Sequence, residues 1–210
     1  MSSKRYPGKM LVPFLGKPIF WHVVERIKQS KLNLKIILAT SNHHTDDPLA
    51  LYAKYLGIEV VRGQLQDVMS RFVLVHKKFK SDAFFRVCGD SPLLFPLIFK
   101  KAYSTFKKNN YDLVTNIFPR TFPPGMSVEL INTKTFLKVE KKINNKDYRE
   151  HISKYFYKKK GFKIYNIRCK KLLDKSLKLT IDKPEDLKKL EKWERFRKKK
   201  FENLFPFFSD

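Results

Sequence analysis

The sequence predicts an α/β fold in which helices cover both faces of a mostly parallel sheet. Short apolar runs alternate with longer segments whose apolar residues recur at helical spacing. The run at 35–40 is mostly apolar, which is typical of a strand buried on both faces. Because crossovers between parallel strands are right-handed, this alternating order places helices on both sides of one sheet.

The first half of the chain gives the clearest elements. Ile19, Val23 and Ile27 recur at helical spacing. The segment 46–57 is predicted to be a helix with Asp47 as its N-cap and Pro48 at the first helical position. The other predicted elements are strands at 35–40, 58–61, 83–89 and 111–116 and helices at 68–79 and 94–108.

The second half is less regular and ends in a distinct tail. Its predicted elements are strands at 127–132, 162–167 and 177–181 and helices near 133–142, 146–159 and 184–199. We expect one domain over 1–193 and a basic, aromatic tail over 194–210 that packs on the core or on a second subunit. A membrane-surface role for this tail is the alternative.

The formal net charge of +25 is the most pronounced feature of the composition. The basic residues are 35 Lys and only 10 Arg, whereas specific nucleic-acid readers depend more on Arg. We therefore interpret the charge as solvated helix faces, with no specific nucleic-acid partner. No apolar stretch approaches the ~20 residues of a membrane span, and the N-terminus lacks a signal-peptide core, so we expect a cytoplasmic protein.

Two carboxylates follow predicted strands. Asp90 comes directly after the strand at 83–89, and Asp182 follows the strand at 177–181. Ligands of open parallel sheets bind beyond the carboxyl ends of the strands, where these side chains can share one Mg²⁺. A turn residue and a helix-start signal are the alternative interpretations of the two aspartates.

The opening stretch SSKRYPGKML is cationic and turn-forming. Arg5 and Lys9 flank a turn set by Pro7 and Gly8. Backbone N–H groups and cations of this kind hold phosphates. A cationic loop together with metal-binding aspartates indicates phosphoryl or nucleotidyl transfer, in which catalysis is mostly positioning and charge neutralisation.

SSKRYPGKML followed by GKPIFWHVVERI resembles the S-x-R-x-P-G-K-x-L…G-K-P signature of cytidylyltransferases that make CMP-activated sugars. These include CMP-ketodeoxyoctonate and CMP-acylneuraminate synthetases, and the most similar branch is that of spore-coat polysaccharide biosynthesis. The resemblance continues through ILATSN, FFRVCGDSPLL, YDLVTNIFPRTFPPGMSVEL, YREHIS and LTIDKPEDL, to about residue 193.

The resemblance implies a glycosyltransferase-A-like, Rossmann-like three-layer sandwich and a Mg²⁺-dependent transfer of CMP from CTP to a sugar or sugar acid. It also implies a homodimer. Its motifs assign catalytic roles to Arg5, Lys9, Asp90 and Asp182, of which Asp90 and Asp182 hold the metal. The nucleotide site is assigned to Ser3, Arg5, Lys9, Thr40, Ser41 and Arg86. The sugar site is assigned to Pro124, Gly125, Glu129, Arg149, Glu150 and His151.

The sequence departs from the family pattern at two notable places. Ser127 stands where an acidic residue is often found in P-x-G-x-D-x-E. The first apolar strand of the family is missing before the opening loop, so we expect Met1 to be an internal methionine and the true start to lie upstream. The alternative function is an inactive or truncated basic protein on this scaffold that binds RNA or an anionic surface.

Overall fold

The computed structural model describes residues 5–169 and 177–197, the last three as backbone only. The helices of this part of the chain are α1 (Ile19–Lys28), α2 (Asp47–Tyr55), α3 (Val68–Lys78), α4 (Pro96–Lys108), α5 (Thr133–Glu140), α6 (Lys146–Glu150), α7 (Lys154–Lys158) and α8 (Pro184–Arg197). The strands are β1 (Pro13–Phe14), β2 (Lys17–Pro18), β3 (Ile37–Ser41), β4 (Glu59–Gly63), β5 (Ala83–Arg86), β6 (Leu113–Thr115), β7 (Glu129–Asn132) and β8 (Ile164–Asn166).

Three strands of the larger sheet run in one direction. Its order is β5-β7-β6-β8, with β7 antiparallel to both neighbours and β6 parallel to β8. A separate sheet contains the parallel pair β3 and β4, and β1 and β2 form a short hairpin. The α/β class predicted from the sequence is confirmed, with β7 as an antiparallel member.

Alternation along the strands produces the layers. Val114 and Leu130 belong to a core cluster with α1, α4 and α8, whereas their neighbours Leu113 and Ile131 belong to a second cluster with α3, α5 and α7. Successive side chains of a strand point to opposite faces, so the larger sheet is covered by helices on both sides. Each fully buried aliphatic side chain contributes about 1.5–3 kcal/mol to this packing.

β3 and β5 are edge strands of the two sheets. Among the described residues, β3 is hydrogen-bonded only to β4 and β5 only to β7. All four side chains of β5 are partly exposed. Within residues 5–169 and 177–197, no strand links β3 to β5.

Two local predictions are wrong. The segment 177–181 has the alternating pattern of a half-buried strand, but it forms no ladder with a neighbouring strand. Leu179 and Ile181 are buried, and each donates one backbone hydrogen bond, to the carbonyls of Pro124 and Asp90 respectively. Helix α2 begins at Asp47 itself, so the residue before the helix is Asp46. The predicted tail over 194–210 lies outside the described residues from 198 onward. No described helix combines the length and apolarity that crossing a bilayer requires.

His76 on α3 predicts a pH-dependent stability. It is 5% exposed against the rings of Phe84 and Phe136, and neither ring nitrogen has a hydrogen-bond partner among the described residues. Burial, with a smaller contribution from Lys80, lowers the pKa of His76 below 6.5. As pH falls, His76 therefore binds its proton in the unfolded chain before it does so in the folded chain. The free energy of unfolding that is present above pH 6.5 is lost as pH falls toward the pKa of His76 in the folded chain.

We expect His76→Phe to lose part of the acid sensitivity of the parent. The free energy of unfolding of the parent should fall by at most about 1.4 kcal/mol per pH unit for this one proton below pH 6.5. Urea unfolding at pH 5.0 to 7.5 measures the slope. The exposed histidine variant His44→Gln should keep the slope of the parent, and an equal slope in His76→Phe would contradict the assignment.

Candidate active site

Lys9 lies between two carboxylates from distant parts of the chain. Its Nζ is 2.9 Å from Asp90 Oδ2 and 3.2 Å from Asp182 Oδ1. The side chains of the three residues are 13%, 26% and 17% exposed, so water screens their interaction only in part. Arg5 joins them, with its Nη2 3.3 Å from Asp182 Oδ1. The structure thus brings together the four residues predicted to be catalytic.

Backbone contacts fix this arrangement. Gly8 has φ 71°, a conformation that glycine adopts readily, and it opens the turn in which Lys9 stands. The next residue, Met10, packs against Gly89 so closely that a Cβ there would overlap its side chain. Ile181 N–H donates to the Asp90 carbonyl at 3.0 Å. The three segments that carry Lys9, Asp90 and Asp182 are therefore held against one another.

Further contacts keep Asp182 ionised. Lys178 Nζ is 2.9 Å from Asp182 Oδ2. Burial alone would raise the pKa of Asp182, but hydrogen bonds from Lys178 and Lys9 outweigh it and hold the pKa below its ordinary value. The Asp186 carboxylate accepts from the N–H groups of Asp182 and Lys183 at 2.9 and 3.0 Å, which closes the turn into α8.

The donor set fits a divalent cation. Two carboxylates already converge on one ammonium group, and Mg²⁺ takes one or two protein carboxylates and completes its shell with water and phosphate oxygens. No group of three or more His, Cys, Asp or Glu suited to a metal ion occurs in residues 5–169 and 177–194. Asp90 and Asp182 therefore suit a cation that arrives with a phosphate ligand.

The segment that carries Pro124 and Gly125 packs against the segment that leads to Asp182. Leu179 N–H donates to the Pro124 carbonyl at 2.7 Å. Gly125 has φ 100°, and a Cβ on it would overlap the Leu179 backbone. Because Leu179 lies three residues before Asp182, this close approach positions the Asp182 carboxylate.

We expect Gly125→Ala to lower the free energy of unfolding by about 2–4 kcal/mol, since it adds a backbone clash to an unfavourable φ. Gly161→Ala is the matched control. Gly161 has φ 95°, and no atom lies within 4 Å of the position that a Cβ would take. The control therefore loses only the cost of placing alanine at a positive φ, about 1 kcal/mol. Chemical unfolding of both variants gives the comparison, and equal losses would show that the approach to Leu179 is unimportant.

Thr40 and Ser41 end β3 and bind a buried carboxylate. Thr40 Oγ1 and Ser41 Oγ donate to Asp46 Oδ2 at 2.6 and 2.7 Å, and Ser41 N–H donates to it at 2.9 Å. Arg62 Nε donates to the Ser41 carbonyl at 2.8 Å. Both predicted nucleotide residues thus shape the end of β3, and within the described part of the chain none of their hydrogen bonds goes to the Lys9 cluster.

A second buried network surrounds Glu129. Its Oε2 is 3.0 Å from Arg86 Nη1 and its Oε1 accepts from the Tyr157 hydroxyl at 2.5 Å. Thr115 Oγ1 is 3.0 Å from the same hydroxyl. Glu129 is fully buried, and these bonds engage both its carboxylate oxygens. Glu129 therefore lies behind the surface, where it orients Arg86 and Tyr157, and its role in a sugar site stays a prediction.

The remaining predicted residues have contacts of their own. Arg149 bonds to Asp67 at 2.7 Å and to Glu140 at 3.1 Å, so it ties α6 to α3 and α5. Glu150 and His151 are exposed at the end of α6. Ser3 lies outside the described residues.

Sequence reasoning missed Tyr157 and Arg71. Tyr157 stands in an aromatic helix segment that is typical of core packing, and only the fold brings its hydroxyl to Glu129. Arg71 Nε is buried without a partner among the described residues, and burial lowers the pKa of Arg71 while Asp46 and Asp67 oppose that shift. An arginine near the start of the helix predicted at 68–79 gives no sign of this in sequence.

Several known proteins resemble this chain in sequence and in fold. A family model described as cytidylyltransferase matches residues 1–204. The chain is 28% identical over 197 residues to the spore coat polysaccharide biosynthesis protein SpsF of Bacillus subtilis, covering 89% of this chain and 79% of that protein. It is 28% identical over 110 residues to a 3-deoxy-manno-octulosonate cytidylyltransferase of Geobacter sulfurreducens, covering 51% of this chain and 42% of that protein. The solved structure of a cytidylyltransferase from Leptospira borgpetersenii superposes with a TM-score of 0.87 at 27% identity, covering 100% of this chain and 95% of that one.

Proposed function

This chain belongs to the cytidylyltransferase family, and on that premise we propose that it transfers CMP from CTP to a sugar acid or a related sugar, for surface polysaccharide synthesis. The observation that carries the proposal is the position of Lys9 between Asp90 and Asp182. A cation between two carboxylates, next to a cationic turn, is suited to a triphosphate and its metal ion.

In the proposed reaction a sugar hydroxyl attacks the α-phosphorus of CTP and releases its proton to water. The bond from the α-phosphorus to the oxygen that bridges the α- and β-phosphates breaks, and pyrophosphate leaves. Asp90 and Asp182 would hold Mg²⁺, which supplies charge neutralisation and polarises the phosphate oxygens. Lys9 and Arg5 place positive charge where the leaving pyrophosphate gains negative charge. The hydrogen bonds that fix Lys9 and Asp182 hold these charges in place before the substrates arrive, so little reorganisation is needed during the reaction.

Relatives support the nucleotide and the pathway class. The Geobacter protein is named as a 3-deoxy-manno-octulosonate cytidylyltransferase, and the Bacillus protein as a spore coat polysaccharide biosynthesis protein. By this likeness we propose CTP as the nucleotide and Mg²⁺ as the cofactor. We also propose a homodimer in the cytoplasm, the compartment in which nucleoside triphosphates are made.

Pyrophosphate release tests the proposal. The full chain is incubated with Mg²⁺, one of the four ribonucleoside triphosphates, and a panel of sugar acids, sugar phosphates and neutral sugars. We expect pyrophosphate and a CMP-sugar only with CTP and an acceptor. Release with another nucleotide would overturn the choice of CTP, and no nucleotide binding at all would overturn the enzyme assignment.

The net charge of +25 supports the second candidate, a basic protein that binds RNA or an anionic surface. RNA binding that weakens steeply with salt, together with no affinity for any nucleoside triphosphate, would favour this candidate. Binding of CTP with ordinary affinity in 0.15 M salt would oppose it.

A further inference from the structure

The turn that presents Lys9 has no core side chain of its own. None of residues 5–13 is buried, and the first buried side chain after them is that of Phe14. Within the turn, the Leu11 N–H donates to the Gly8 carbonyl at 2.9 Å. Such a local bond shapes the turn, so the place of the turn against the two carboxylates depends on the elements around it.

The hairpin of β1 and β2 follows this turn directly and has a strained tip. Its tip residues, Leu15 and Gly16, have φ 49° and φ 80°. Glycine adopts a positive φ readily but leucine does not, so the conformation of Leu15 persists only where surrounding contacts hold it. The hairpin therefore depends on side chains from outside it.

His22 of α1 holds the first strand of this hairpin. Its Nε2 is 2.6 Å from the Phe14 carbonyl oxygen, and the rings of the two residues meet edge to face with centroids 5.1 Å apart. A carbonyl oxygen can only accept, so Nε2 carries the proton in this contact. Burial lowers the pKa of His22, although the Phe14 carbonyl opposes this shift. The ring is therefore neutral near pH 7 and donates its one N–H to the hairpin.

Glu191 of α8 holds the tip of the hairpin. Its Oε1 accepts from the Leu15 N–H at 3.3 Å. The same helix begins at Pro184, two residues after Asp182, and the Asp186 carboxylate ties its first turn to the Asp182 N–H at 2.9 Å. A helix is a regular and stiff element, so α8 sets how far the hairpin tip lies from the Asp182 backbone.

Backbone bonds join the hairpin to the Lys9 turn. The Val12 carbonyl accepts from the N–H of Ile19, the first residue of α1, at 3.0 Å, and the Val12 N–H donates to the Lys9 carbonyl at 3.2 Å. Lys9 and Asp182 are therefore linked in two ways, directly by their ion pair at 3.2 Å and indirectly through the hairpin and α8. The direct link weakens when the ammonium group turns to a phosphate, whereas the indirect link remains.

We propose that His22 and Glu191 are positioning residues, which hold the β1–β2 hairpin so that Lys9 stays beside the two carboxylates when its charge turns to a phosphate. The inference rests on the proposed function for the phosphate, whereas the hold on the hairpin is a property of the chain alone. Each of the two side chains acts through the backbone of the hairpin and not through the substrate.

Hydrogen exchange of the full chain tests the hold on the hairpin. His22→Phe keeps an aromatic ring beside Phe14 but removes the donor, whereas His22→Gln restores an N–H donor of similar reach. The amides of Leu11 and Val12 should exchange about 3- to 10-fold faster in His22→Phe than in the parent, the effect of losing one hydrogen bond. In His22→Gln they should exchange at close to the parental rate.

Two further variants keep this test decisive. Glu191→Met removes the second contact from a partly exposed position of α8, so it gives a result even if His22→Phe does not fold. It should accelerate exchange of the same amides, by less than His22→Phe because its bond is longer. Thr135→Val is the matched control, since it removes another hydrogen bond of 2.6 Å, to Asp112, and should leave these amides unchanged.

Calorimetry with CTP and Mg²⁺ separates positioning from a general loss of stability. His22→Phe should weaken CTP binding about 3- to 10-fold in the wild-type chain. In a chain that already carries Lys9→Met it should weaken binding by no more than about twofold, because the charge that the hairpin positions is gone.

Four results would overturn the proposal: equal losses of CTP affinity in both backgrounds, unchanged exchange in His22→Phe and Glu191→Met, no recovery in His22→Gln, or an equal acceleration in Thr135→Val. A parent that binds no nucleoside triphosphate would overturn the proposed function instead, and the exchange rates would still decide whether the two side chains hold the hairpin.

Discussion

Asp90→Asn is expected to lower kcat for CMP transfer by about 10³-fold or more while the chain stays folded. The substitution keeps the size of the side chain but removes the charge that a divalent cation requires of its ligand. Lys9 keeps its second partner, Asp182, at 3.2 Å, so the local structure is retained. Pyrophosphate release at saturating CTP and acceptor gives kcat, and thermal unfolding monitors the fold.

Asp147→Asn is the matched control for this variant. Asp147 also accepts from a lysine, Lys154 at 2.6 Å, but this pair lies on the exposed surface of α6 and α7. Exposed ion pairs contribute about 0–1 kcal/mol, so the control should unfold like the parent and keep its kcat. If Asp90→Asn kept more than about a tenth of the parental kcat, the metal-ligand role of Asp90 would be wrong.

The predicted catalytic residues come together because their positions follow from general rules of sheet structure. Asp90 comes directly after a strand-forming run, and Asp182 comes after a segment that alternates like a strand. In such folds these are the positions from which ligands are bound, whichever side chains fill the core. The segment before Asp182 is not a strand, yet its backbone N–H at Ile181 still pairs with the Asp90 carbonyl. The predicted position of Asp182 therefore requires an extended segment before it more than full hydrogen-bonded pairing of that segment with a strand.

The network around Glu129 could not be predicted in the same way, since its residues meet only through tertiary packing. Tyr157 comes from a five-residue helix, Glu129 from the start of β7 and Arg86 from the end of β5. Sequence spacing carries no information about contacts between such distant positions. The sequence marks Ser127 only as a departure from a family pattern, and its hydrogen bond from Arg120 is visible only in the structure.

The two residues predicted to bind the nucleotide, Thr40 and Ser41, have a different structural role from the one that the resemblance implies. The family resemblance assigns Thr40 and Ser41 to a nucleotide site, whereas among the described residues their side chains hydrogen-bond to Asp46 and to the His43 N–H. A hydroxyl at a strand end is equally suited to a substrate and to a buried carboxylate. Residue type alone therefore did not decide between the two.

Lys9→Met should separate two ligands that are usually considered together, the metal ion and the nucleotide. Lys9 Nζ occupies the space between Asp90 and Asp182, so without nucleotide the ammonium competes with a cation for the same oxygens. Methionine keeps most of the side-chain volume and removes the charge. We therefore expect Mn²⁺ alone to bind several-fold more tightly to the variant, because two carboxylates lose their internal cation.

The nucleotide should respond in the opposite direction. Without the Lys9 charge, affinity for the complex of CTP with Mg²⁺ should fall about 10- to 100-fold, the usual effect of losing one charged contact to phosphate. Electron paramagnetic resonance of free Mn²⁺ and calorimetry with CTP give the two constants, and Lys154→Met should change neither. Equal CTP affinity in Lys9→Met and the parent would exclude a phosphate contact for Lys9. A parallel loss of Mn²⁺ and CTP affinity would instead mean that Lys9 supports the carboxylates and does not compete for them.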